Sequence, residues 1–197
     1  MQELLDLTKA PGLDHLHTLS LSFYCPTTRP ALELQDLPSV PHLPNLSSLH
    51  LTLSGEKREL PAEALHKLLS QIDPGSLRRL SLLNLIISSS QISSLVTSAP
   101  NLEELYISIN SRQTVLDCPT FNGSNLNVLH INTPPEGALT SDDLVELARG
   151  MRELDQIGTG NRVYEVYRCL GDDGEKIVEL SRWGKTTTPA YFQIWRG

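Results

Sequence analysis

The stretch LPNLSSLHLTLS, residues 43–54, carries Leu43, Leu46, Leu49, Leu51 and Leu53. Its leucines are spaced three, three, two and two. A helix repeats its apolar face every three to four residues and a strand every two. The period therefore changes in mid-stretch. Such a segment begins as a bend feeding leucines inward, then straightens into a short strand whose alternate residues point the same way.

The same switch recurs along the chain. HLHTLSLS gives Leu16, Leu19 and Leu21; NLSSLHLT gives Leu46, Leu49 and Leu51; SLRRLSLL gives Leu77, Leu80 and Leu82. NLEELYIS gives Leu102, Leu105 and Ile107; NLNVLHIN gives Leu126, Leu129 and Ile131; a degenerate ELDQIGTG gives Leu154, Ile157 and Thr159. The first positions, 16, 46, 77, 102, 126 and 154, are separated by 30, 31, 25, 24 and 28 residues. Leucine-rich repeats have periods of about 20–29 residues. One such unit cannot bury its own leucines, but stacked units share a continuous core beneath a parallel sheet.

The expected fold is therefore α/β, a leucine-rich-repeat solenoid with a parallel inner sheet and irregular outer helices. PAEALHKLLSQI opens with Pro61 at a first helical position and aligns Leu65, Leu68, Leu69 and Ile72. SSQISSLVTSA aligns Ile92, Leu95, Val96 and Ala99, and TSDDLVELARGM starts with Thr140 and Asp143 at capping-box spacing. CPTTRPALELQDLPSVPHLP and DCPTFNGSN read as non-helical connections.

Residues 1–161 are assigned to about six irregular repeats and 162–197 to a C-terminal antiparallel β cap. In the cap, RVYEVYRCL and EKIVELSRW read as strands joined through GDDG, with PAYFQIW as a third. Trp183, Tyr191, Phe192 and Trp195 are expected to cover the last repeat. Only QELLDLTKA precedes the first strand, leaving Thr18 to Leu21 as an exposed edge. A missing N-terminal segment, a partner or a second copy is expected to cover that edge.

Composition narrows the function. A net charge of −7 argues against a nucleic-acid or anionic-membrane surface, which needs a basic face, and 5% aromatics argue against a base-stacking platform. The N-terminus lacks the basic and apolar regions of a signal peptide, and no apolar run nears the roughly 18 residues of a membrane span. A cytoplasmic or nuclear location is expected, not a secreted one. Cys25, Cys118 and Cys169 are too widely separated for metal-type spacing and read as packing thiols. Asn45 and Asn122 match the glycosylation acceptor pattern by chance in a chain without a secretory signal.

Catalytic motifs fail on inspection. Ser54 and Lys57 spell S-x-x-K, but the glycine after Ser54 reads as a turn rather than the helix that chemistry needs. GTGNRV puts Val163 where the third glycine of G-x-G-x-x-G belongs, and GDDGEK puts Gly171 at a calcium-ligand position. His50 and His130 occupy equivalent repeat positions, yet three strand steps separate them by roughly 14 Å, too far to share a metal. No cofactor, metal or enzymatic activity is expected.

A surface remains. The residues flanking the second leucine of each unit face away from the core, on the concave side. They are Thr18, Ser48, Arg79, Glu104 and Val128, then Ser20, His50, Ser81, Tyr106 and His130, followed by Ser108 and Asn132. As solvent-facing positions, His50, Arg79, Ser81, Glu104, Tyr106, Ser108, His130 and Asn132 form the candidate partner-binding face. Arg and Tyr are the residue types that most often anchor interfaces. Tyr106→Ala combined with Arg79→Glu is accordingly expected to weaken partner binding and leave the far-UV circular dichroism and melting point nearly unchanged. Arg78-Arg79 beside Glu103-Glu104 can also pair across strands, with little net energy at a surface.

The repeats resemble those of ribonuclease-inhibitor-type leucine-rich-repeat proteins. Through LPNLSSLHL, SAPNLEELYI and the closing LDQIGTGNRVYEVYR, the chain resembles the C-terminal repeat domain of fungal F-box/leucine-rich-repeat proteins. The resemblance implies repeats that recognise a protein destined for ubiquitination. It also implies a ubiquitin-ligase adaptor as partner if an F-box lies upstream; no stretch here matches an F-box. The asparagine ending the repeat consensus appears once, as Asn110, with Tyr24, Ser54, Leu85 and Pro134 elsewhere. The expected function is a protein–protein interaction module acting as the substrate-recognition region of an F-box-type ubiquitin-ligase receptor. The alternatives are a stand-alone scaffold or inhibitor, a gene product that has lost its F-box, and a hydrolase using Ser54 or a histidine.

Overall fold

The computed structural model describes residues 13–25, 32–33, 37, 42–171 and 174–184. The recurring motif forms strands. In chain order the elements are β1 (Thr18–Tyr24), β2 (Ser48–Ser54), β3 (Arg58–Glu59), α1 (Ala62–Ser70), β4 (Arg79–Ile86), α2 (Ser89–Ser98) and β5 (Glu104–Ser108). They continue as α3 (Gln113–Leu116), β6 (Val128–Asn132), α4 (Ser141–Gly150), β7 (Gln156–Thr159), β8 (Arg162–Leu170) and β9 (Lys176–Arg182).

Among the described residues, one open nine-stranded sheet runs β1-β2-β4-β5-β6-β7-β8-β9, with β3 beside β4. It is parallel from β1 to β7. The register follows the sequence motif: Leu19, Leu49, Leu80, Leu105, Leu129 and Ile157 form a single line. From Leu49 onward every member of that line is 0% exposed, so this face is the core. Each fully buried leucine stabilises by roughly 1.5–3 kcal/mol against chain-ordering entropy.

The bend before each strand has its own repeated bonding. The carbonyls of His17, Ser47, Arg78, Glu103 and Asn127 each accept two consecutive N–H groups at the start of the next strand, at 2.8–3.1 Å. The asparagine that opens the motif stitches neighbouring bends. Asn45 donates to Asp14 O (2.7 Å), Asn101 to Gly75 O (2.7 Å) and Asn125 to Pro100 O (2.9 Å), while Ser76 takes that place with Leu46 O (3.0 Å). These bonds satisfy carbonyls that a turn would otherwise leave unpaired.

The outer segments are unequal, as their sequences require. Helix α1 buries Leu65, Leu68 and Leu69, and Ile72 follows it into the core. Helices α2 and α4 start with reciprocal capping boxes, Ser88 with Gln91 and Thr140 with Asp143. The connection read as DCPTFNGSN contains a 3-10 turn at Pro119–Phe121 that inserts Phe121 into the core. Most of CPTTRPALELQDLPSVPHLP lies outside the described residues. Among the described residues, no helix is long and apolar enough to cross a membrane.

Strand β4 departs from a simple repeat. Its pairing with β5 jumps from Ser81↔Tyr106 to Ile86↔Ser108, so residues 82–85 bulge, while β3 pairs along its other side at Leu85 and Ile86. Asn84 takes the left-handed conformation (φ 60°) and donates from Nδ2 to Leu53 O (2.9 Å). Asparagine tolerates that backbone better than most side chains.

At residue 162 the polarity changes. β8 turns back on β7 through Gly160 (φ 56°) and Asn161 and pairs antiparallel, and β9 pairs antiparallel with β8. The boundary expected between 161 and 162 thus marks a reversal of strand direction, and the sheet crosses it without a break. Arg168 fastens this hairpin to the preceding unit by donating to Leu154 O (2.8 Å), Met151 O (2.6 Å) and Ala148 O (3.3 Å). A cation there also complements the C-terminal dipole of α4. The expected third strand, PAYFQIW, lies outside the described residues. At the opposite margin β1 is the last strand of the sheet among the described residues, its Leu19, Leu21 and Phe23 only half-buried and Tyr24 55% exposed.

Candidate functional site

The face opposite the leucine core carries rows of polar side chains set by the parallel register. Thr18, Ser48, Arg79, Glu104, Val128 and Gln156 form the row nearest the bends. Ser20, His50, Ser81, Tyr106, His130 and Gly158 form the next, and antiparallel pairing continues it to Val163. Trp183 closes that line by donating its backbone N–H to Val163 O (2.9 Å). The sequence reading places Thr18, Ser48, Arg79, Glu104 and Val128 in the first of these rows and Ser20, His50, Ser81, Tyr106 and His130 in the second.

Their exposure is a correction. Ser81 and Ser108 are 0% exposed, Tyr106 3%, His130 4% and His50 8%. These five do not face solvent. Of the candidate residues only Arg79 is exposed, while Glu104 and Asn132 are half-buried. Register supplies part of the reason, since strands about 4.8 Å apart bring equivalent side chains into contact. Tyr106 and His130 stack with ring centroids 6.0 Å apart and 24° between planes. Ser81 sits in register between His50 and Tyr106. Lys57 reaches from the turn after β2 past the ends of β4 and β5 to donate to Thr133 O (3.3 Å). Tyr106→Ala is consequently a core truncation, and the expectation that it leaves the melting point unchanged is withdrawn.

Gly158 makes the histidine's seat. A Cβ there would lie 2.2 Å from His130 Nδ1 and 3.1 Å from the Arg162 carbonyl. His130 Nε2 meets Gly160 O at 3.0 Å. Gly158→Ala must expel the ring and is expected to destabilise the protein by about 1–3 kcal/mol, the usual penalty of overpacking. A urea titration compared with wild type checks this; equal midpoints would mean the ring is not held there.

Electrostatics divides the face. Burial lowers the His130 pKa to about 4, against the partly opposing Gly160 and Asn132 hydrogen bonds. Burial also lowers that of His50, with the Arg79 cation adding to the effect. His50 Nε2 and Ser48 Oγ are 2.9 Å apart. A serine–histidine pair in acyl transfer needs a group that stabilises the imidazolium, whereas Arg79 disfavours it. Ser54 is exposed at the end of β2, and Gly55 (φ 99°) makes the turn before Lys57. Nearer the bends, Arg79 Nε pairs with Glu104 at 2.9 Å, and Arg78 pairs with Glu103 one residue earlier. That cross-strand double pair is the charged, reachable part of the face.

The sequence reading missed Trp183 and Gln156 as members of this surface, because their places follow from the antiparallel reversal and a degenerate motif. It sought asparagine at the end of the repeat, whereas Asn45, Asn101 and Asn125 bond at its start. The recurring N-L at those positions was the available signal. No known protein family, curated protein or solved structure matches this chain.

Proposed function

We propose that the chain is a leucine-rich-repeat solenoid working as a non-catalytic protein–protein interaction module, the substrate-recognition region of an F-box-type ubiquitin-ligase receptor. One observation carries the binding reading. Six strands hold the same motif in one register, so polar side chains form ordered rows on the sheet face opposite the core. A preformed row loses little conformational freedom on binding. The reachable anchors are Arg79 and Glu104 with the Arg78–Glu103 pair beside them. The ubiquitin-ligase role rests on the resemblance of the repeats.

The test is a tagged pull-down from the source organism's lysate with wild type and Arg79→Glu. Arg79→Glu is expected to lose specific partners while shifting stability by no more than about 1 kcal/mol, as exposed ion pairs do. Identical partner sets would remove Arg79 from the binding surface. A ligase adaptor recovered with both proteins supports the receptor reading. Specific partners without an adaptor favour a stand-alone scaffold or inhibitor.

A further inference from the structure

The charges of the row nearest the bends are sorted along it. Arg79 on β4 is followed in register by Glu104 on β5, Val128 on β6, Gln156 on β7 and Glu165 on β8. On the other side of Arg79 stand Ser48 and Thr18, which are uncharged. Pairing does not erase this order at the surface. The Arg79 side chain is 55% exposed against 20% for Glu104, and that of Arg78 54% against 37% for Glu103. In each pair the carboxylate is the more sheltered member and the guanidinium the more accessible. Arg79 bonds Glu104 through Nε, and its two Nη groups hold no hydrogen bond among the described residues. A guanidinium fixed by one edge presents the other as a fork for a carboxylate. At the far end Glu165 accepts from the Tyr167 hydroxyl through Oε2, and Tyr167 is itself 51% exposed. Four strand spacings, about 19 Å, separate Arg79 from Glu165. Val128 and Gln156, half-buried and uncharged, lie in the interval.

We propose that this row binds an extended segment of a partner protein that carries an acidic side chain and, about six residues away, a basic one. The inference rests on the protein-binding reading of the face and names the partner's chemistry. The partner's carboxylate takes the open fork of Arg79, with the charge of Arg78 beside it, and its basic group takes Glu165. Extended chain gains about 3.3 Å per residue, so six residues cover roughly 20 Å. That matches the interval across the strands. Because Glu104 already holds Arg79 by Nε, the fork loses little freedom on binding. A nucleic acid does not suit the row, since its uniform negative charge is repelled by Glu104 and Glu165 wherever it is drawn to Arg79.

The experiment titrates the full chain, labelled for nitrogen NMR, with two synthetic peptides of one composition. Both are acetylated and amidated so that only side chains carry charge. In Asp-Gly-Gly-Val-Gly-Gly-Lys the charges are spaced to the row; in Gly-Gly-Asp-Lys-Val-Gly-Gly they adjoin. The spaced peptide is expected to shift the Arg79 Nε–H and the Glu165 amide together. It is expected to bind roughly tenfold more tightly than the other, the combined worth of two exposed charge contacts. Arg79→Lys, which keeps the charge and loses the fork, and Glu165→Gln are each expected to remove most of that preference. Equal affinities, no shift with either peptide, shifts confined to α1, α2 and α4, or full preference in both variants would overturn the proposal. If the preference is absent while Arg79→Glu still loses partners in the pull-down, the charge spacing is rejected and the binding reading stands. If both are absent, the face itself is rejected.

Discussion

Replacing Leu80 by aspartate is expected to abolish cooperative folding of the sheet. Leu80 is 0% exposed and lies between Leu49 and Leu105 in the central line of the core. The change removes roughly 1.5–3 kcal/mol of apolar burial. It also buries a carboxyl among the apolar side chains of the core, which adds several kcal/mol or forces protonation. Together these take away a large share of the roughly 5–15 kcal/mol that holds a domain folded. Ser22→Asp is the control, an exposed position on the marginal strand β1 carrying the same new charge. It is expected to change stability by no more than about 0.5 kcal/mol. Far-UV circular dichroism during heating separates the two. A Leu80→Asp protein that melts like wild type would show that the leucine line is not the core.

Acid is expected to weaken the fold well before the carboxylates titrate. His130 is buried uncharged, with a pKa of about 4 against 6.5 when unfolded. Between those values the unfolded chain binds a proton that the folded chain does not. Stability from this residue is therefore complete above pH 6.5 and lost as the pH falls toward 4. The depression from 6.5 to about 4 corresponds to about 3 kcal/mol. His50, also lowered, contributes in the same direction. Urea unfolding at pH 7 and pH 4.5, in wild type and His130→Phe, isolates the term. The variant should lose much less stability than wild type between the two pH values. Equal losses would place His130 in contact with water.

The sequence conveyed the fold to the level of register because the motif is local. Leu46, Leu49 and Leu51 state where each strand begins and which residues face inward, and Ser81, Tyr106 and His130 fell into one row as counted. The capping box at Thr140 and Asp143 was legible for the same reason. What could not be read depends on distant parts of the chain. Tyr106 stacks on His130 of the adjoining strand, and the spacing within one strand does not encode that contact. The bulge after Ser81 and the insertion of β3 need the pairing of three strands at once. Arg168 lies in an ordinary strand pattern, and its three carbonyl partners belong to α4 and the bend after it. Of the candidate site, position was readable and exposure was not.

A parallel stack has no inherent length, since each strand offers its neighbour the edge it has itself received. The reversal at Gly160 ends that permission. Behind β7 stands a hairpin of opposite polarity, held to α4 by Arg168. A duplicated unit of 24 to 31 residues can be spliced between existing parallel strands. It cannot follow β7 without evicting the hairpin. Lengthening by tandem duplication is thereby confined to the parallel side of the reversal, and the hairpin serves as a terminator written into the strand direction itself.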